Sequence, residues 1–199
     1  MAAKAPQTEL DAVNLMLSAI GEAPIESLDE AFGESQFAQD TLGMAQLEIN
    51  SWGWSYNSER ITLQPNGSGY ITLPDTLLSV DPTDSSIKAT QRGQYLYNVD
   101  KNTFVWCAPV ECDLVLSLDF DCLPNHARFY ISTYAAFLFT KRYLGAETVR
   151  AYTAEDLGMA KRLFNRIEGR HGDYNILTGN STSNNILNRR ANGPRRNYR

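Results

Sequence analysis

The sequence predicts an α+β fold: a helical bundle of about four helices, an inserted small antiparallel β domain and an extended carboxy-terminal tail. Three observations carry this. Apolar residues recur at helical spacing over Glu9 to Ser51 and again beyond Leu123. Between Trp52 and Phe120, short β-branched and aromatic segments are separated by Pro, Gly, Asn and Asp, which is the grammar of strands and hairpins. From Gly172 onward Asn, Ser, Thr, Gly and Arg dominate, with too little apolar surface to order alone. The boundaries follow: 1–51 for the first helices, 52–122 for the β domain, 123–171 for the last helices and 172–199 for the basic tail.

Thr8 is placed to cap a first helix, Glu9 to Ile20, with Leu10, Val13, Leu15, Leu17 and Ile20 apolar and Gly21 and Pro24 ending it. A second helix, Ser35 to Ser51, presents Phe37, Leu42, Met44, Ala45, Leu47 and Ile49, weakened slightly by Gly43. Strands are expected at Arg60 to Leu63, Tyr70 to Pro74, Leu77 to Val80, Ser86 to Thr90, Gln94 to Asn98, Thr103 to Trp106 and Asp113 to Phe120, forming one small sheet. Pro124 opens a third helix reaching Leu144, apolar nearly all round and therefore central. The fourth, Val149 to His171, sets Tyr152, Leu157, Met159, Leu163, Phe164 and Ile167 against a polar side with Lys161, Arg162 and Arg166.

Charge is unevenly divided. Residues 1–173 carry 13 basic and 23 acidic side chains, a net of -10, whereas residues 174–199 carry five arginines and no acid. Such a tail suits an acidic protein surface or a nucleic acid. No run of apolar residues is long enough to span a membrane, and the first residues lack the apolar core of a signal peptide. A soluble protein folding in a reducing cytoplasm is expected. Cys107, Cys112 and Cys122 fit no metal or redox spacing, so reduced thiols are expected, and no metal or cofactor.

Catalytic patterns are missing: there is no P-loop, GxGxxG, GxSxG or HExxH. His126 and His171 read as surface histidines, the latter favoured by a helix C-terminus. Asp113, Asp119 and Asp121 invite comparison with the paired carboxylates of glycan hydrolases, and on a strand Asp119 and Asp121 would share a face. The stretch Asp119-Phe-Asp-Cys-Leu-Pro124 also reads as a strand end leading to a helix cap, and this reading outweighs the catalytic one. A non-enzymatic protein is expected, with a glycan hydrolase, or a DNA-binding module acting through the arginines, as the alternatives.

The residues also resemble a known family. The opening Glu9-Leu-Asp-Ala-Val-Asn-Leu-Met-Leu-Ser-Ala-Ile-Gly-Glu-Ala-Pro-Ile-Glu-Ser-Leu28 is similar to the start of the tail tubular protein A, or head-to-tail adaptor, family of short-tailed T7-like phages. The likeness continues in Ile49-Asn-Ser-Trp-Gly-Trp-Ser-Tyr-Asn57, Ile61-Thr-Leu-Gln-Pro65, Leu123-Pro-Asn125, Arg142-Tyr-Leu-Gly-Ala146 and Gly172-Asp-Tyr-Asn-Ile-Leu177, in family order.

The resemblance implies a virion tail protein assembled in the host cytoplasm, a dodecameric ring beneath the portal. The tail nozzle (tail tubular protein B) would attach on its far side, and DNA would pass through the lumen without specific binding or any membrane. It also implies a C-terminal segment that embraces neighbouring subunits or the portal. An acidic body suits such a conduit, because it repels phosphates. Head-to-tail ring contacts need two different faces. Trp52, Trp54, Tyr56, Tyr95, Tyr97 and Trp106 are candidates for them or for nozzle contacts, with core packing as the competing role. Arg189, Arg190, Arg195, Arg196 and Arg199 are the candidate portal clamp, suited to charge-assisted pairing with carboxylates.

Overall fold

The computed structural model of the 199-residue chain describes residue 6 and residues 8–30, 32–143 and 147–171. The expected tail from Gly172 and its five arginines fall outside the described residues.

Helix α1, Glu9–Ile20, has the expected bounds because both ends are chemically fixed. The Asp11 N–H donates to Thr8 Oγ1 at 3.1 Å and the Thr8 N–H to Asp11 Oδ2 at 3.2 Å, a capping box. At the other end Gly21 adopts φ +84°, which a side chain would resist. Helix α2, Glu34–Asn50, follows a short 3-10 turn at Leu28–Glu30.

The expected apolar sides of α1 and α2 were partly misplaced. Leu15, Met44 and Leu47 face outward, while small residues, Ala12 on α1 with Ala38 and Ala45 on α2, fill the inward rows beside Val13, Met16, Leu42 and Ile49. Alanine rows let helices approach closely, and larger side chains are displaced to the surface.

Two sheets stand where one was expected. In the first, β5 (Val110–Leu116) lies between β1 (Ser58–Leu63) and β2 (Leu77–Pro82), both antiparallel to it. Val110, Cys112 and Leu114 of β5 point inward, and Glu111 and Asp113 outward. The second is a hairpin of β3 (Ala89–Arg92) and β4 (Tyr95–Asn98), whose two-residue turn begins at Gly93 with φ +61°. The segments expected as strands at Tyr70 to Pro74 and Thr103 to Trp106 contribute only isolated bridges, Tyr70 with Val105, Thr72 with Tyr95 and Asn98 with Thr103. β5 also stops at Leu116; Phe120 begins a 3-10 turn, Phe120–Cys122, and buries its ring among the helices.

Helix α3, Asn125–Tyr143, packs on α1, α2 and α4 (Glu147–His171), which is the central place its composition demanded. Two cores result. One gathers residues of all four helices around the fully buried Phe139 and Phe164; the other, inside the β part, gathers Ile71, Leu96, Trp106, Cys112 and Leu114.

Asn57 joins the two parts. Its buried side chain donates to Asn50 O (2.9 Å) and Leu116 O (2.8 Å), and its Oδ1 accepts the Trp54 N–H (2.7 Å). One amide therefore ties the end of α2, the start of β1 and the end of β5. Replacing Asn57 by Ala leaves two carbonyls and one N–H without that partner and is expected to cost about 3 kcal/mol in urea unfolding. A loss below about 1 kcal/mol would mean the joint is held by other means.

Candidate functional site

The surface expected to make contacts begins where α2 ends, and four consecutive residues there each make a polar tie to the rest of the fold. Trp54 Nε1 donates to Ile49 O (2.7 Å) and its ring meets Phe164 of α4 edge-on at 4.6 Å. Ser55 donates to Glu168 Oε2 through both its N–H (3.0 Å) and its hydroxyl (2.8 Å). Tyr56 OH donates to the buried Asn50 Oδ1 (3.0 Å), and Asn57 forms the joint described above.

Glu168 completes this arrangement. Its Oε1 lies 2.7 Å from His126 Nε2, and the two side chains are 6% and 11% exposed. His126 was expected at the surface; it is instead enclosed by Tyr56 and Phe164, because the Glu168 carboxylate supplies the partner that makes its burial tolerable. Burial pushes the Glu168 carboxyl up, but hydrogen bonds from His126 and Ser55 outweigh it and hold the group below its ordinary value of 4.5. Sequence reading missed Glu168, although a signal existed: it falls on the inward face of α4 with Ala160 and Phe164, eight and four residues on from them in helical register.

Beside this network Trp52, 74% exposed, stacks on Trp54 with ring centroids 6.5 Å apart. The pair forms one wall of a cleft of about 300 Å³, with Tyr130 and Tyr134 of α3 and Lys161 and Asn165 of α4 among its other walls. Tyr134 OH donates to Glu48 (2.9 Å); burial first, then this bond, pushes the phenol up to about 12.

The remaining expected contact residues divide. Tyr97 and Trp106 are buried in the β part, Trp106 Nε1 donating to Leu96 O (2.9 Å), and Arg92 lies 3.6 Å over the Tyr97 ring. Tyr95 is 40% exposed and packs against Tyr70 (5.5 Å) and Phe104 (6.4 Å), so the hairpin presents a second aromatic surface. Trp52, Trp54 and Tyr56 are thus brought together, and Tyr95 is placed apart from them on the β part.

The acids considered for catalysis do not converge on one strand. Arg60 of β1 holds Asp113 by two hydrogen bonds of 2.7 and 3.0 Å, and that bonding keeps the carboxyl below the usual range. Asp119 and Asp121 flank and enter the 3-10 turn rather than sharing a strand face, as the turn reading had it. All three cysteines are free; Cys112 is buried, and burial first, then nearby carboxylates, pushes its thiol up to about 11, whereas Cys107 and Cys122 are exposed. No helix among the described residues is long and apolar enough to cross a membrane.

Comparison with known proteins places this architecture. A family model described as tail tubular protein matches residues 10–174. Tail tubular protein A of Klebsiella phage KP34 is 28% identical over 148 residues, which are 74% of this chain and 80% of that protein.

Because the Glu168 carboxyl is depressed in the folded chain, its contribution is complete above pH 4.5 and is lost as pH falls from there through the lower folded value. Glu168→Ala is expected to cost about 3 kcal/mol in urea unfolding at neutral pH, since it strands Ser55 and His126. The difference from the unsubstituted protein should shrink at pH 4 and below; a difference unchanged by acid would contradict this account.

Proposed function

The chain belongs to the tail tubular protein family and is a structural component of a bacteriophage tail; from that premise we propose that it is the ring-forming adaptor joining the portal to the tail nozzle. The observation that carries this reading is the family match over residues 10–174, which takes in all four helices and both sheets. The role calls for binding and closure rather than chemistry: twelve copies form a closed ring, the nozzle attaches to its far face, and DNA crosses the lumen during ejection.

In this reading residues 1–51 and 123–171 form the oligomerising bundle, residues 52–122 an inserted β domain and residues 172–199 a segment that grips the portal. The net charge of -10 over residues 1–173 supports a conduit that does not hold DNA, because phosphates are repelled by an acidic wall. The five carboxy-terminal arginines form the clamp, pairing with portal carboxylates. The exposed Trp52 and Tyr95 are the aromatic anchors for neighbouring chains.

Mass photometry of the protein alone and with its portal tests the ring. Monomers alone and closed rings of about twelve copies on the portal are expected; monomers in both samples would refute the adaptor reading. Truncation after Asn188 is expected to weaken portal binding roughly tenfold and to flatten its salt dependence, since exposed ion pairs contribute a few tenths of a kcal/mol each. Unchanged affinity and salt response would remove the arginines from the clamp.

A further inference from the structure

Among the described residues, two helix faces are exposed and differ in their prevailing charge. On α2, Asp40, Met44, Leu47 and Glu48 fall at helical spacing along one exposed face, with Met44 54% and Leu47 53% exposed. On α4, Met159, Arg162, Leu163, Arg166 and Arg170 do the same, with Met159 58% and Leu163 43% exposed. Each face has two large apolar side chains at its centre and charge beside them.

The prevailing signs differ. Residues 8–50 contain nine acidic side chains and no lysine or arginine. From Leu157 to Arg170, α4 carries four basic residues against the single acid Glu168, which is turned inward to His126; the exposed acids Glu155 and Asp156 lie one turn earlier, before Met159. Among the described residues Asp40 accepts from Gln36 and Glu48 from Tyr134, while Arg142 lies 3.8 Å from Met44 Sδ and Lys161 lines the same cleft as Glu48. Among the described residues no carboxylate pairs with Arg162, Arg166 or Arg170.

We infer that α2 of one copy docks on α4 of the next, so that the Met44–Leu47 face meets the Met159–Leu163 face and their charges pair around it. Symmetric contacts are disfavoured, because α2 on α2 sets acid against acid and α4 on α4 sets base against base. Only the unlike pairing satisfies both faces, and a contact between two different faces propagates from copy to copy, as ring closure requires. An apolar centre with a polar, charged rim is the ordinary anatomy of such an interface. This inference rests on the ring reading and names its subunit contact.

Charge exchange tests it, with the full chain and its portal. Asp40→Lys with Glu48→Lys gives a chain whose α2 repels its own α4 face; Arg162→Glu with Arg166→Glu gives the reverse. Each variant alone is expected to need at least about tenfold more protein to form rings, because like charges face each other across the contact. Mixed in equal amounts, the two should recover assembly as alternating rings, which a merely misfolded chain could not do.

Asp40→Lys alone, at an exposed position, should weaken assembly in the same direction. Normal rings from either double variant alone, or no recovery on mixing, would overturn the inference while leaving the adaptor reading intact. A failure of the unsubstituted chain to form rings on the portal would overturn both.

Discussion

The fold turns on a constraint at one place: the polar groups of the turn Trp54 to Asn57, which ends on the buried Asn57, must all find partners at once. A buried donor or acceptor left alone costs about 1–3 kcal/mol, so a turn with this many has few alternative positions. Asn57 fixes the β part against the end of α2, and Ser55 fixes the same turn to the last turns of α4 through Glu168. His126 at the start of α3 then closes on the other Glu168 oxygen. The helical core and the β core are separate clusters, and the Asn57 contacts bridge the two parts.

For the ring proposed above, this arrangement would have a mechanical consequence. Apolar packing resists separation but tolerates sliding, whereas a hydrogen-bonded carboxylate with three donors fixes angle as well as distance. A small change of angle between parts would be multiplied around a closed ring. The same network holds the last turns of α4 to the start of α3 through Glu168 and His126.

Surface chemistry is arranged by sign and by aromatic content. Trp52 is exposed while Trp54 beneath it is anchored, so an indole is presented on a rigid base at little entropic cost. Acidic side chains cluster on α1 and α2 and basic ones on the last half of α4, which gives one chain two unlike faces. Unlike faces are what head-to-tail association needs and what a self-pairing dimer would avoid.

The sequence alone determined whatever depends on neighbours along the chain. Thr8, Asp11 and Gly21 set the bounds of α1 because caps act within a few residues, Pro124 and the aromatic run placed α3, and the ordered series of family-like segments pointed to the phage tail. Tertiary structure decided what depends on partners across space. Leu15, Met44 and Leu47 are as apolar as the residues they were grouped with, but Ala38 and Ala45 allow the close approach and take the core. Tyr70 to Pro74 has strand composition, yet only one-residue bridges were available to it. His126 is half-buried because Glu168, 42 residues away, accepts its hydrogen bond, and no local pattern around either residue reveals which polar group folding will bring opposite it.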